Sequence, residues 1–80
     1  MNDLYFNFGE YYSKGDTLYY IYNNELMSSR ELIKVSVRTI YPRVIIGTDE
    51  EGRSFTIDIS EADRIFREKP EAEKYYKEIK

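Results

Sequence analysis

The stretch "ELIKVSVRTI" occupies residues 31–40 of the chain. Ile33, Val35 and Val37 alternate with Lys34, Ser36 and Arg38, the period of two expected of a strand with one buried and one wetted face. The stretch predicts a half-buried β-strand. Tyr41 and Pro42 then stop or bend it, because proline cannot donate to a ladder and restricts the residue before it.

Downstream, "RVIIG" (residues 43–47) resumes as a short strand with apolar residues on both faces. "TDEEGRSF" (residues 48–55) reads as a hairpin connection in which Gly52 takes the positive φ that closes such loops. Beyond it Phe55, Ile57 and Ile59 point one way and Ser54, Thr56 and Asp58 the other, which predicts another half-buried strand. Ser60-Glu61-Ala62-Asp63 resembles a capping box and predicts a helical turn returning Ile65 and Phe66 to the strands. Lys69 before Pro70 predicts a break, with Pro70 as the first residue of a final helix. Glu71 and Glu73 suit the positive end of that helix, and Lys77 and Lys80 its negative end. Ala72, Tyr75 or Tyr76, and Ile79 form its apolar stripe, which we expect to act as a lid on an open end of the strand body.

Upstream, "DTLYYIY" (residues 16–22) is dense in aromatic and branched residues and follows the turn signal Lys14-Gly15-Asp16. It reads as a strand. Asn23 and Asn24 tolerate left-handed backbone and predict a tight reversal, with a weaker extended piece at residues 25–28.

These segments resemble small Src-homology-3-like (SH3-like) barrel proteins of bacteria and their phages. The resemblance is carried by "GDTLYYI", "IKVSVRTI", "RSFTIDI" and "RIFREKPEAEKYYKEI" and covers roughly residues 14–80. It implies a mainly β fold: a small antiparallel barrel of about five bent strands with a short C-terminal α-helix. It implies no activity, because such barrels serve protein, RNA and DNA binding alike. The expected organisation is a single domain over 1–80. Residues 1–14 form an aromatic N-terminal arm or strand, 15–59 the barrel strands, and 60–79 the helical turn and final helix.

With 80 residues, nearly every large apolar side chain is needed for packing. The chain has no cysteine and no histidine, which removes thiolate nucleophiles, sulfur-ligated zinc and the commonest proton-transfer side chain. A non-enzymatic protein is expected, with no cofactor. No apolar run approaches the roughly 20 residues of a membrane span, so we expect a cytoplasmic protein that does not engage membranes.

The net charge of −3 disfavours bulk neutralisation of phosphates. Charge alternates along the chain, however: residues 28–48 hold four bases against one acid, and residues 49–63 six acids against one base. Arg30, Lys34, Arg38 and Arg43 are therefore the candidate residues for RNA or single-stranded DNA, with tyrosines as stacking platforms. The plainer reading is that bases on an outer strand face keep the sheet soluble. Asp58, Glu61 and Asp63 are a candidate carboxylate group, but paired acids need a cleft that separates their pKa values, which so short a chain scarcely provides. The acids of residues 49–51 lack the ligand spacing of a calcium loop, and we expect no metal there.

Eight of the thirteen aromatic residues lie in residues 4–22, and nine of the thirteen are tyrosine. Tyrosine contributes contact area at low entropy cost, whereas a buried hydroxyl needs a partner. Phe6, Phe8, Leu18, Tyr20 and Tyr12 are the expected core members. From Tyr5, Tyr11, Tyr12, Tyr19, Tyr22 and Tyr41 we expect at least three to be exposed as a protein-binding patch. The leading expectation is a protein-binding module, in one version a phage or mobile-element accessory protein that blocks a bacterial nuclease or other defence protein. That version sets Asp49, Glu50, Glu51 and Asp58 against a basic channel. A structural homodimer is the third expectation.

Overall fold

The computed structural model describes residues 7–24 and 26–78. Tyr5, Phe6, Ile79 and Lys80 lie outside these residues. Five strands form one antiparallel sheet: β1 (Thr17–Asn24), β2 (Ser29–Tyr41), β3 (Val44–Thr48), β4 (Ser54–Asp58) and β5 (Ile65–Phe66). A helical turn α1 (Phe8–Tyr11) precedes them, a 3-10 helix (Ile59–Arg64) joins β4 to β5, and α2 (Lys69–Glu78) ends the chain. The strand order is β4-β3-β2-β1-β5, so four strands run as a meander and the fifth returns beside the first.

The alternation of residues 33–37 is realised as expected. Ile33, Val35 and Val37 are buried and face Leu18, Tyr20 and Ile45 in the core. A bulge between Val37 and Thr39 then lets Ile40 also turn toward the core. Pro42 and Arg43 form a two-residue turn into β3. There Gly47 lies so close to β2 that a Cβ would stand 2.3 Å from Val35 Cγ1 and 2.8 Å from the Ser36 carbonyl oxygen.

The sheet curls strongly without closing into a barrel: β4 pairs with β3 alone and β5 with β1. Phe55 of β4 nonetheless meets Tyr22 and Tyr20 of β1 edge to face, with ring centroids 5.4 and 6.2 Å apart. Side chains, not a ladder, bridge the mouth of the curl.

Several local expectations are corrected. Residues 1–14 were expected as an arm or strand, but residues 8–11 form a helical turn capped by Asn7, whose Oδ1 accepts from the Gly9 N–H at 2.8 Å. Phe8 is fully buried, and its N–H donates to the Pro42 carbonyl. Asn23 and Asn24 do not reverse the chain. They continue β1 opposite Arg30 and Ser29, and residues 26–28 are turn, not an extended piece. The capping box sits on Asp58, not on Ser60: Asp58 accepts from the Ser60 N–H at 2.9 Å, and Glu61 Oε2 accepts from the Asp58 N–H at 3.3 Å. Helix α2 begins at Lys69, with Pro70 second, where its missing N–H still costs no intrahelical bond.

The final helix is not a lid over the main core. Tyr19 pairs with Phe66, and the pleat puts Tyr19 and Ile21 on the face of β1 opposite Leu18 and Tyr20. Phe66 stacks on Tyr75 of α2 at 5.4 Å, while Ile21 and Ala72 are buried apart from the main core cluster. β1 is thus covered on both faces, which accounts for its unbroken apolar run. Among the described residues no helix is long and apolar enough to cross a membrane.

Candidate functional site

The two long hairpins of the sheet end in different chemistry. In the β3–β4 loop, Asp49 accepts from the N–H groups of Glu51 and Arg53 at 2.9 and 2.8 Å and from Arg53 Nε at 2.7 Å. Gly52, at φ +88°, donates its N–H to the Asp49 carbonyl. Burial works against the Asp49 charge, but the Arg53 guanidinium and the backbone donors outweigh it and hold the carboxyl below the usual carboxylate range. Glu51 lies 3.7 Å and Glu31 3.8 Å from the same guanidinium, which also sits over the Phe55 ring.

Of the acids expected to face a basic partner, Asp49 and Asp58 are hydrogen-bonded within the chain, while Glu50 and Glu51 stay exposed beside a cation. Glu50 lies 4.0 Å from Lys34, and Asp58 caps the 3-10 helix, where hydrogen bonds from Ser60 lower its pKa. The expected nucleic-acid residues fare similarly. Arg38 donates from Nε to Thr48 Oγ1 at 3.0 Å, and Lys34, Arg38, Asp49 and Glu50 line one shallow depression. Arg30 lies at the other end of β2, where its carbonyl accepts from the Tyr76 hydroxyl at 2.9 Å, and Arg43 sits in the β2–β3 turn. The structure does not gather the four bases into one stripe, and it brings two of them beside acids, which opposes phosphate.

The tyrosines divide unevenly. Tyr11 and Tyr41 are exposed, while Tyr12, Tyr19 and Tyr22 are half-buried, so two of the five described members stand open where at least three of six were expected. Tyr12 packs on Phe8 and beneath Arg67, whose guanidinium carbon is 4.7 Å from the ring centroid. Arg67 also donates to the Tyr11 carbonyl and lies 3.6 Å from Asp16, clamping the N-terminal segment to the stretch after β5. Tyr20 is buried, and its hydroxyl donates to Glu61 Oε1 at 2.6 Å. Burial first, and then that carboxylate, pushes its pKa above the usual tyrosine range.

Among the described residues, the most exposed apolar side chains are ones that the aromatic pattern did not single out. At the β1–β2 tip, Leu26 is 97% and Met27 71% exposed. Ser28 follows in left-handed backbone at φ 51°, and the chain then enters β2. Beside the tip, Asn23, Ser28, Ser29, Arg30 and Tyr76 line an open depression of about 490 Å³. The signal was present as "ELMSS", two large apolar residues between polar ones at a strand reversal. No family model, curated protein or solved structure matches the chain.

Proposed function

We propose that this chain is a non-enzymatic protein-binding module whose principal contact is the β1–β2 hairpin tip. The observation that carries the reading is the exposure of two adjacent large apolar side chains, Leu26 and Met27, on a tip supported by paired strands. Exposed leucine and methionine side chains suit insertion into an apolar pocket, and methionine adapts readily to such a surface. The depression beside the tip adds polar groups and the Tyr76 ring to the rim of that contact.

The five-stranded antiparallel order with a short C-terminal helix is compatible with the SH3-like reading, and we extend the proposal to a cytoplasmic accessory protein of a bacterium, phage or mobile element. A host nuclease or other defence protein is one partner class for such a protein. With Asp49 and Asp58 engaged in local hydrogen bonds and Glu50 and Glu51 beside Lys34 and Arg53, apolar insertion is a better basis for that contact than imitation of phosphate charge.

The test compares tagged wild type with a Leu26→Asp, Met27→Asp double variant in affinity capture from a bacterial lysate, with nuclease added and folding checked by thermal melting. The expected result is a stoichiometric protein that survives nuclease and is lost with the double variant. Retention of the same protein by the double variant overturns the reading. So does capture of nucleic acid alone that is abolished by Lys34→Glu with Arg38→Glu.

A further inference from the structure

The outer edge of β4 presents backbone groups in a self-complementary order. Two bonds bracket the strand: the Asp49 N–H donates to the Arg53 carbonyl at 3.0 Å, and the Ile59 N–H to the Arg43 carbonyl at 2.9 Å. In an antiparallel ladder hydrogen-bonded and non-hydrogen-bonded pairs alternate. With the observed register, the hydrogen-bonded pairs inside β4 are therefore Phe55 with Gly47 and Ile57 with Ile45. The N–H and C=O of Ser54, Thr56 and Asp58 point away from the sheet.

Asp58 is already engaged, since its N–H goes to Glu61 and its C=O, as an N-cap carbonyl, accepts the first bond of the 3-10 helix. Ser54 and Thr56 each keep an outward donor and acceptor, with no backbone partner among the described residues. The strand contains no proline, lysine or bulge, three of the devices that block an edge, although it is short and ends in the charged Asp58.

We infer that β4 pairs with β4 of a second copy, antiparallel and two-fold about Phe55, forming a continuous ten-stranded sheet. In that register Ser54 of each copy stands opposite Thr56 of the other, and four hydrogen bonds use all the outward groups that Asp58 has not taken. The same register places Phe55 of one copy directly opposite Phe55 of the other in a non-hydrogen-bonded pair, where cross-strand side chains lie closest. The half-buried Phe55 rings then meet across the axis. Centring the pairing on Thr56 instead would direct bonds to Asp58 groups that are already used. A five-residue edge makes a small interface, so association depends on concentration.

The pairing does not rest on the hairpin-tip reading, because Leu26 and Met27 lie on the turn between β1 and β2, two strands away in the sheet order. The experiment is sedimentation velocity over a concentration series, joined to amide hydrogen exchange resolved by residue. The expected result is a monomer–dimer equilibrium in which the Ser54 and Thr56 amides gain protection as concentration rises, while those of Phe55 and Ile57 are protected throughout. Thr56→Pro removes an outward N–H without breaking a ladder bond within the chain, and it abolishes both concentration effects. Should that variant not fold, Thr56→Lys serves the same purpose. Leu26→Asp with Met27→Asp leaves the dimer intact. Any of four outcomes overturns the proposal: a monomer at every concentration, a dimer unaffected by either Thr56 variant, assemblies larger than a dimer, or Ser54 and Thr56 amides protected at the lowest concentration.

Discussion

The β3–β4 and β1–β2 hairpins belong to the same sheet, yet their tips are built on opposite terms. The first is wired: one carboxylate collects two backbone donors and a guanidinium, and a glycine takes the positive φ. The second leaves Leu26 and Met27 in water and places a serine, not a glycine, in left-handed backbone. A tip that bonds to itself needs nothing outside the chain. A tip that exposes apolar area and holds a serine in left-handed backbone is the one on which the proposed contact is placed, since strain of this kind clusters at functional segments.

The contrast breaks most readily at the stem of the wired hairpin. Gly47→Val forces side-chain atoms into Val35 and the Ser36 carbonyl, and overpacking of this kind costs about 3 kcal/mol or more. Against the roughly 5 kcal/mol expected of a small domain, the urea midpoint of the variant should fall by more than half. At the tips themselves the substitutions have opposite signs. Gly52→Ala, at φ +88°, should lose on the order of 1 kcal/mol, whereas Ser28→Gly, at φ 51°, should gain a smaller amount. Paired urea midpoints measure both, and equal signs would erase the contrast.

Acid titration sharpens it further. Asp49 and Asp58 have pKa values below the carboxylate range, so the stability they contribute is present above about pH 4 and lost as pH falls through their folded-state values. Asp49→Asn keeps one oxygen acceptor but removes the titration. Its melting temperature should fall less steeply between pH 5 and pH 2 than that of the wild type. The smallest effect on stability belongs to the apolar tip: Leu26→Asp with Met27→Asp should change the unfolding free energy by no more than about 0.5 kcal/mol. A larger loss would mean that these residues pack within the chain and are not presented to a partner.

What the sequence made legible follows from range. Ile33, Val35, Val37, Phe55 and Ile57 were readable because strand alternation is a local pattern, and Gly52 because its turn chemistry is local too. The capping box was readable but misplaced: Asp58 and Glu61 have the required spacing, and the serine at residue 60 drew attention from them. Asn23 and Asn24 have strong turn propensity that the ladder to Ser29 and Arg30 overrides. The site was harder to read. That Glu50 would meet Lys34, or that Glu61 would accept from Tyr20, depends on how far the sheet curls, which no local pattern encodes. Ile21, apolar on the face of β1 opposite Leu18 and Tyr20, was the available sign that this face is covered too.

The Glu61 side chain has one further consequence, in the order of events during folding. One of its oxygens completes the cap on Asp58 three residues back, and the other receives the hydroxyl of a strand residue 41 positions away. The cap therefore forms fully only once β1 is in place, and β1 is in turn held by β5, which follows the capped helix. Such mutual dependence between distant segments leaves little for a half-folded chain to keep. Folding should be a single slow step typical of sequence-distant strand pairing, with no stable fragment on the way.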